Sequence, residues 1–266
     1  MMRKIAIHSV PRSGSTWLGE IINSSPCVKY CFQPLFSYEF KDFLDEYSSK
    51  EDVNRFFSML SDTDDEFICQ RSQRIAGTLP LVSKTDLATH IVYKEVRYHH
   101  ILENLMAVDN DIKLILLVRN PIEVMNSWIN APKEFDESWD INEQLISAEL
   151  KNRGRKENFY GLDAWVQTTR RFEKLAKSYS ERVMLVNYST LKRNTEQTVF
   201  NIFNFIGLAL TDPTRRFLSE SLDIKVSDTY SVFRGGEQSH MTLDDKMVDK
   251  ITQHVTKAKL SHYIDL

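Results

Sequence analysis

The chain has 266 residues, of which 42% are hydrophobic and 27% charged, with a formal net charge of −3. Its pI near 6.2 argues against bulk binding to nucleic acid. The length suits one large α/β domain or two small ones, with a substantial buried core.

Residues 4–18 read KIAIHSVPRSGSTWL. A strand over Lys4–His8 runs into PRSGST, and a helix follows from near Ser15. The Walker A pattern G-x-x-x-x-G-K-[ST] overlays this loop. Its second glycine falls on Gly14 and its closing hydroxyl on Thr16. The lysine position holds Ser15, the first glycine position holds Ser9, and Arg12 stands inside the loop. Successive backbone N–H groups around Gly14 can share one concavity. The helix N-terminus adds about half a positive charge. Ser13, Ser15 and Thr16 supply hydroxyl donors, and Arg12 supplies a planar fork for oxyanions. The loop suits a phosphate or sulfate group but lacks the residues that serve Mg-ATP.

Four more segments read as buried strands: Val28–Phe32, His90–Lys94, Lys113–Val118 and Arg182–Asn187. Helical patterns lie between most of them, which argues for a parallel sheet covered on both faces. The run LILLV at 114–118 is continuous, as a central parallel strand requires. Cys27 and Cys31 flank the second strand. With Cys69 they read as reduced core thiols, without metal-ligand spacing. Asn120-Pro121 marks a helix start. Leu162, Trp165, Thr169, Phe172 and Ala176 mark the inward face of another helix. Asn194 and Gln197 have capping-box spacing, Val199, Ile202, Phe203 and Ile206 form an apolar stripe, and Gly207 closes that helix. Two charge-rich excursions, 45–89 and 132–160, fit either solvated surface helices or the walls of a ligand site at the sheet's carboxyl edge.

A second chemical feature is LILLVRNPIEVMNSW. Arg119 sits at the carboxyl end of a strand, and Ser127 follows about two helical turns later. An arginine with a hydroxyl suits a phosphate monoester. The same arginine could instead pair with Glu123.

Together PRSGSTWL and VRNPIEVMNSW resemble the sulfotransferase family. VYKEVRYHHILENL is similar to the K-x-x-R strand end of carbohydrate sulfotransferases, and SPCVKYCFQPLF to that branch's P-x-V-x-x-x-x-E-P-L segment. VNYSTLKRNTEQTVFNIFNFIGL resembles the V-x-Y-x-x-L…FLGL segment. The resemblance implies a three-layer α/β/α, P-loop NTPase-like fold with a mostly parallel sheet of about five strands. It implies 3′-phosphoadenosine 5′-phosphosulfate (PAPS) as co-substrate, with no metal. Arg12 would contact the transferring sulfuryl group, and Ser13, Gly14, Ser15 and Thr16 would hold the 5′-phosphate. Trp17 would wall the adenine side or support the loop, and Tyr188 would lie near adenine. Arg119 and Ser127 would hold the 3′-phosphate. In FRGGEQSH, Arg234, Gly235 and Gly236 read either as a cofactor lid within 225–241 or as a flexible turn.

Sulfuryl transfer builds negative charge on the leaving phosphate oxygen, which Arg12, Lys94 and loop amides would stabilise. A general base should take the acceptor proton. The carbohydrate branch carries glutamate before the Pro-Leu matched by Pro34-Leu35, but this chain has Gln33. Glu39, Glu95, His99 and His100 remain as candidates, with His99 slightly preferred. Arg97 either pairs with an acidic group on the acceptor or braces the site.

The expectation is one sulfotransferase domain over 1–266, acting on a carbohydrate or small-metabolite hydroxyl. No apolar run reaches the roughly 18 residues of a membrane span. The N-terminal apolar stretch is too short for a signal segment. A cytoplasmic enzyme without nucleic-acid or membrane partners is therefore expected. A small-molecule P-loop kinase and a non-catalytic nucleotide-binding protein of the same fold are the alternatives.

Overall fold

Five strands carry the architecture: β1 (Arg3–Ser9), β2 (Val28–Phe32), β3 (His90–Glu95), β4 (Ile112–Val118) and β5 (Val183–Asn187). The structure is a computed structural model that describes residues 2–85, 87–157, 159–223, 232 and 241–264. The strands form one sheet in the order β2-β3-β1-β4-β5, and every pairing is parallel. Each expected strand is present, with ends shifted by one residue at most.

Parallel neighbours need crossovers, and helices supply them. Helix α1 (Ser15–Asn23) leads from β1 towards β2. Helices α2 (Lys50–Asp62), α3 (Glu66–Cys69) and α4 (Arg71–Ile75) lie between β2 and β3. Helix α5 (Leu102–Val108) precedes β4. Helices α6 (Pro121–Ile129), α7 (Ile141–Ser147), α8 (Glu149–Asn152) and α9 (Leu162–Ser178) lie between β4 and β5. After β5 come α10 (Tyr188–Arg193), α11 (Thr195–Ile206), α12 (Asp212–Asp223) and α13 (Asp245–Lys257).

The alternation of side chains along a strand explains the two cores. Leu114 and Leu116 join Tyr93, Phe56, Trp128, Trp165 and Phe172 on one face. Ile115 and Leu117 join Ile5, Ile7, Leu18, Val199 and Phe203 on the other. A strand apolar on both faces is what the unbroken LILLV run requires. The result is the expected α/β/α sandwich. Among the described residues no helix is long and apolar enough to cross a membrane. Cys27, Cys31 and Cys69 are all free thiols.

Local signals mostly held. Asn120 caps α6 by accepting from the Ile122 amide, with Pro121 in the first turn. Gly207 ends α11 at φ 76, and a Cβ there would lie 1.5 Å from Arg3 Nη1. The expected Asn194–Gln197 capping box is not formed. Asn194 also ends α10, its amide bonding to the Thr190 carbonyl, and its side chain caps nothing. Gln197 donates instead to Asn201. The 45–89 excursion is not merely solvated surface. Val53, Phe56, Phe57 and Leu60 of α2 are buried, and Phe56 and Phe57 pack against Tyr93.

Candidate functional site

At the carboxyl edge of the sheet, β1 releases the chain into the Pro11–Gly14 loop. Arg12 takes φ 67 and Gly14 takes φ 88, both left-handed. Left-handed backbone is uncommon for a non-glycine residue and clusters at functional sites. Gly14 occupies the N-cap of α1, and no side chain caps the helix. The first-turn amides are therefore available to an outside acceptor. Ser13 is fully buried, and its hydroxyl has no hydrogen-bond partner among the described residues. An orphan hydroxyl beside a bare helix N-terminus fits the 5′-phosphate side of PAPS.

The second motif meets this loop directly. Arg12 Nε donates to Ser127 Oγ at 3.2 Å, and Arg119 Nη1 donates to the Arg12 carbonyl at 3.1 Å. Both Arg119 and Ser127 are buried, at 7% exposure each. The pairing of Arg119 with Glu123 is also present, Nε to Oε2 at 2.7 Å. So the guanidinium is divided between an acid on α6 and the loop.

Tyr188 closes the third side. Its ring lies under the Arg119 guanidinium, 4.5 Å from centroid to Cζ. It also presses on Gly14, where a Cβ would come within 2.3 Å of it. Trp17 meets Tyr188 edge-on at 6.3 Å and anchors its indole N–H on Ser221 Oγ at 3.0 Å. Trp17 thus supports the loop from α12. Ser221 has no local motif and only its contact identifies it.

Lys94 and Arg97 come from the end of β3 and the turn after it. Lys94 is 1% exposed, and its ammonium rests over the Phe32 ring at 4.1 Å. Burial pushes its pKa down, with Arg97 adding to the fall and Glu95 opposing it. Gln33 takes φ 42, and its Oε1 accepts from Arg97 Nη1 at 3.1 Å.

His99 needs a correction. It was the slightly preferred general base, yet it is fully buried, with its ring edge-on to Phe159 and Phe172. Its Nδ1 faces His8 Nδ1 at 3.1 Å. Burial, then the charge of His8, holds its pKa well below the ordinary histidine value. A neutral imidazole with no exposed surface has no access to an acceptor hydroxyl, and no proton transfer is assigned to it. Of the other nominated bases, Glu39 is exposed and accepts from Thr63 Oγ1 at 2.7 Å. Glu95 is fully buried and accepts from the Leu35 amide at 2.8 Å. Burial raises its pKa against the pull of Lys94. His100 faces Glu46 at 3.8 Å.

Tyr160 and Glu134 were missed by sequence. The buried Tyr160 hydroxyl donates to Glu134 at 2.8 Å, and Lys151 pairs with the same carboxylate at 2.7 Å. Tyr160 lines a small cavity together with Val10 and Pro11, which places it by the loop. These residues lie in the irregular 132–160 excursion, where no periodicity marks them. Arg234, Gly235 and Gly236 lie outside the described residues. Among the described residues no cluster of three or more metal-ligating side chains occurs.

A family model described as the sulfotransferase domain matches residues 2–262. Comparison with curated protein sequences gives no match. Several solved structures share the fold. A sulfotransferase from Alicyclobacillus acidocaldarius superposes with a TM-score of 0.56 at 15% identity, over 100% of this chain and 96% of that one. A mouse sulfotransferase in complex with PAP gives 0.58 at 15%, over 96% and 84%. Retinol dehydratase in complex with androsterone and the inactive cofactor PAP gives 0.57 at 13%, over 96% and 80%.

Proposed function

The chain belongs to the sulfotransferase domain family, and from that premise we propose that it transfers a sulfuryl group from PAPS to an acceptor hydroxyl on a carbohydrate or small metabolite. The observation that carries this reading is the junction of the two motifs. Arg12 in the loop bonds Ser127 on α6, and Arg119 bonds the Arg12 carbonyl. One crevice therefore offers two anion-binding centres, as a 3′,5′-bisphosphorylated nucleotide demands.

In this reading the α1 amides, Ser13, Ser15 and Thr16 hold the 5′-phosphate. Arg119 and Ser127 hold the 3′-phosphate, and Tyr188 and Trp17 border the base. The donor supplies an activated sulfuryl group when bound. The acceptor oxygen forms a new bond to sulfur while the bond from sulfur to the phosphate oxygen breaks. The electron pair stays on that phosphate oxygen, and the hydroxyl proton passes to a basic group or to water. Arg12 and the loop amides stabilise the charge that grows on the leaving oxygen. Lys94 contributes the same way in its ammonium form, which a nearby phosphate restores.

Calorimetry comparing 3′-phosphoadenosine 5′-phosphate (PAP), AMP and Mg-ATP tests the reading. Tight binding of PAP, with AMP much weaker, is the expected result. A preference for Mg-ATP would overturn it in favour of a kinase. PAP binding with no transfer to any acceptor would favour the non-catalytic alternative, whose support is Gln33 in place of the branch's glutamate.

A further inference from the structure

Three aromatic rings form a shelf at the ends of β2 and β3. Phe32 and Phe67 lie 5.6 Å apart, and Phe67 and Phe36 lie 6.2 Å apart. Phe36 and Phe67 are 40% and 38% exposed, so part of the shelf faces outward. Two cations rest on it. Lys94 Nζ sits 4.1 Å from the Phe32 centroid, and Arg97 Cζ sits 3.9 Å from that of Phe36.

Arg97 is the unusual member. It is buried, yet it forms no ion pair with a carboxylate of the described residues. Its Nη1 donates to the neutral Gln33 Oε1, and its Nε is buried without a hydrogen-bond partner. A buried guanidinium normally needs a paired anion. The acids nearest to it feel its charge at a distance but do not touch it, and the Glu95 Oε2 is itself buried without a hydrogen-bond partner. Glu134 is held by Lys151 and the Tyr160 hydroxyl, and Glu95 by the Leu35 amide. A glutamate at position 33 would have given Arg97 an ion-pair partner in contact, and the amide there leaves the guanidinium without one among the described residues.

We propose that the acceptor is a small hydroxy acid whose carboxylate pairs with Arg97 and whose apolar face lies on Phe36 and Phe67. The proposal rests on the sulfotransferase reading and adds the acceptor's charge to it. Stacking on Phe36 fixes the guanidinium plane, so one edge can receive a carboxylate in a bidentate manner. The acceptor hydroxyl then lies on the Lys94 side of the shelf, towards the loop. Gln33 acts as a specificity residue: it orients Arg97 without satisfying its charge.

The test is calorimetry on the protein saturated with PAP, using matched pairs of probes. Para-hydroxyphenylacetate, glucuronate and an ω-hydroxy fatty acid are each compared with the corresponding primary amide. The three pairs distinguish an aromatic, a sugar and an aliphatic source of the same chemistry. The expected result is that the acid of at least one pair binds about tenfold or more tighter than its amide. Arg97→Gln should remove that preference, and Arg97→Lys should keep part of it. Gln33→Glu should also remove it, by giving Arg97 an internal partner, and this variant guards against misfolding of the first. Absence of an acid preference in every pair, or a preference that survives both Arg97→Gln and Gln33→Glu, overturns the proposal. Loss of PAP binding by the unaltered protein would instead overturn the sulfotransferase reading, so the two failures are distinct.

Discussion

Arg12 Nε donates to Ser127 Oγ across 3.2 Å, joining the loop after β1 to the helix after β4. The two residues are 115 positions apart in the chain, and their strands are adjacent in the sheet. The bond brings the two motifs of the proposed cofactor site into direct contact. Arg119 reinforces it through the Arg12 carbonyl at 3.1 Å.

Arg119→Ala should therefore weaken PAP binding by about 1–3 kcal/mol, the range of a charged hydrogen bond. Ser127→Ala should weaken it less, because the hydroxyl is neutral. The double variant should lose less than the sum, since both residues brace Arg12. Calorimetry on the four proteins gives the cycle. Unchanged affinity in Arg119→Ala would remove Arg119 from the site.

Gly14→Ala should impair both the loop and the stability of the protein. Its φ of 88 disfavours any side chain, and the new methyl would lie 2.3 Å from Tyr188. The left-handed backbone alone costs about 1–2 kcal/mol, and displacement of Tyr188 from Arg119 adds to it. Urea unfolding together with PAP titration measures both effects. A Gly14→Ala protein with normal stability and affinity would contradict the packing described here.

Binding of PAP should take up a proton through Lys94 at a pH above its lowered pKa of about 7. Burial disfavours the ammonium in the free protein, and a nearby phosphate favours it. The group therefore gains a proton on binding wherever the free form is partly neutral. Binding heats measured in buffers of different ionisation enthalpy should show this uptake, and Lys94→Met should abolish it. Equal uptake in the variant would assign the proton elsewhere.

Acid should destabilise the fold through the buried histidines. The His8 pKa is lowered from 6.5 to about 3, first by burial and then by the charges of His100 and Lys94. His8 faces His99 Nδ1 and the Tyr93 hydroxyl inside the core. Between about pH 6.5 and 3 the unfolded chain binds a proton that the folded one refuses. Stability therefore falls as pH drops through this window, by at most about 1.4 kcal/mol per pH unit for each such histidine. His8→Gln should flatten the slope of unfolding free energy between about pH 6 and 4. An unchanged slope would show that His8 titrates normally.

Local chemistry decided what could be read from the chain without coordinates. The strands were legible because continuous apolar runs pack on both faces of a parallel sheet, as at 114–118. The turn from strand to helix was legible because Pro11–Thr16 is one continuous segment with Gly14 at its close. Arg119 was placed correctly because a strand end and the Asn120-Pro121 cap are both local signals. The family followed from the same segments, and its model spans residues 2–262.

What only the tertiary structure decided is how distant residues divide their interactions. His99 looked like a base because a histidine ordinarily titrates nearest neutral pH. Phe159 and Phe172 arrive from far along the chain and bury it. Gln33 looked like a missing base, whereas its contact with Arg97 gives it a partner. Burial and charge pairing depend on every element packed around a side chain, and no local pattern encodes that sum. So the sequence alone identifies the family, from the same segments that the proposed cofactor site uses. The packing decides which histidine is sealed from solvent and which buried arginine has a neutral amide, not a carboxylate, in contact.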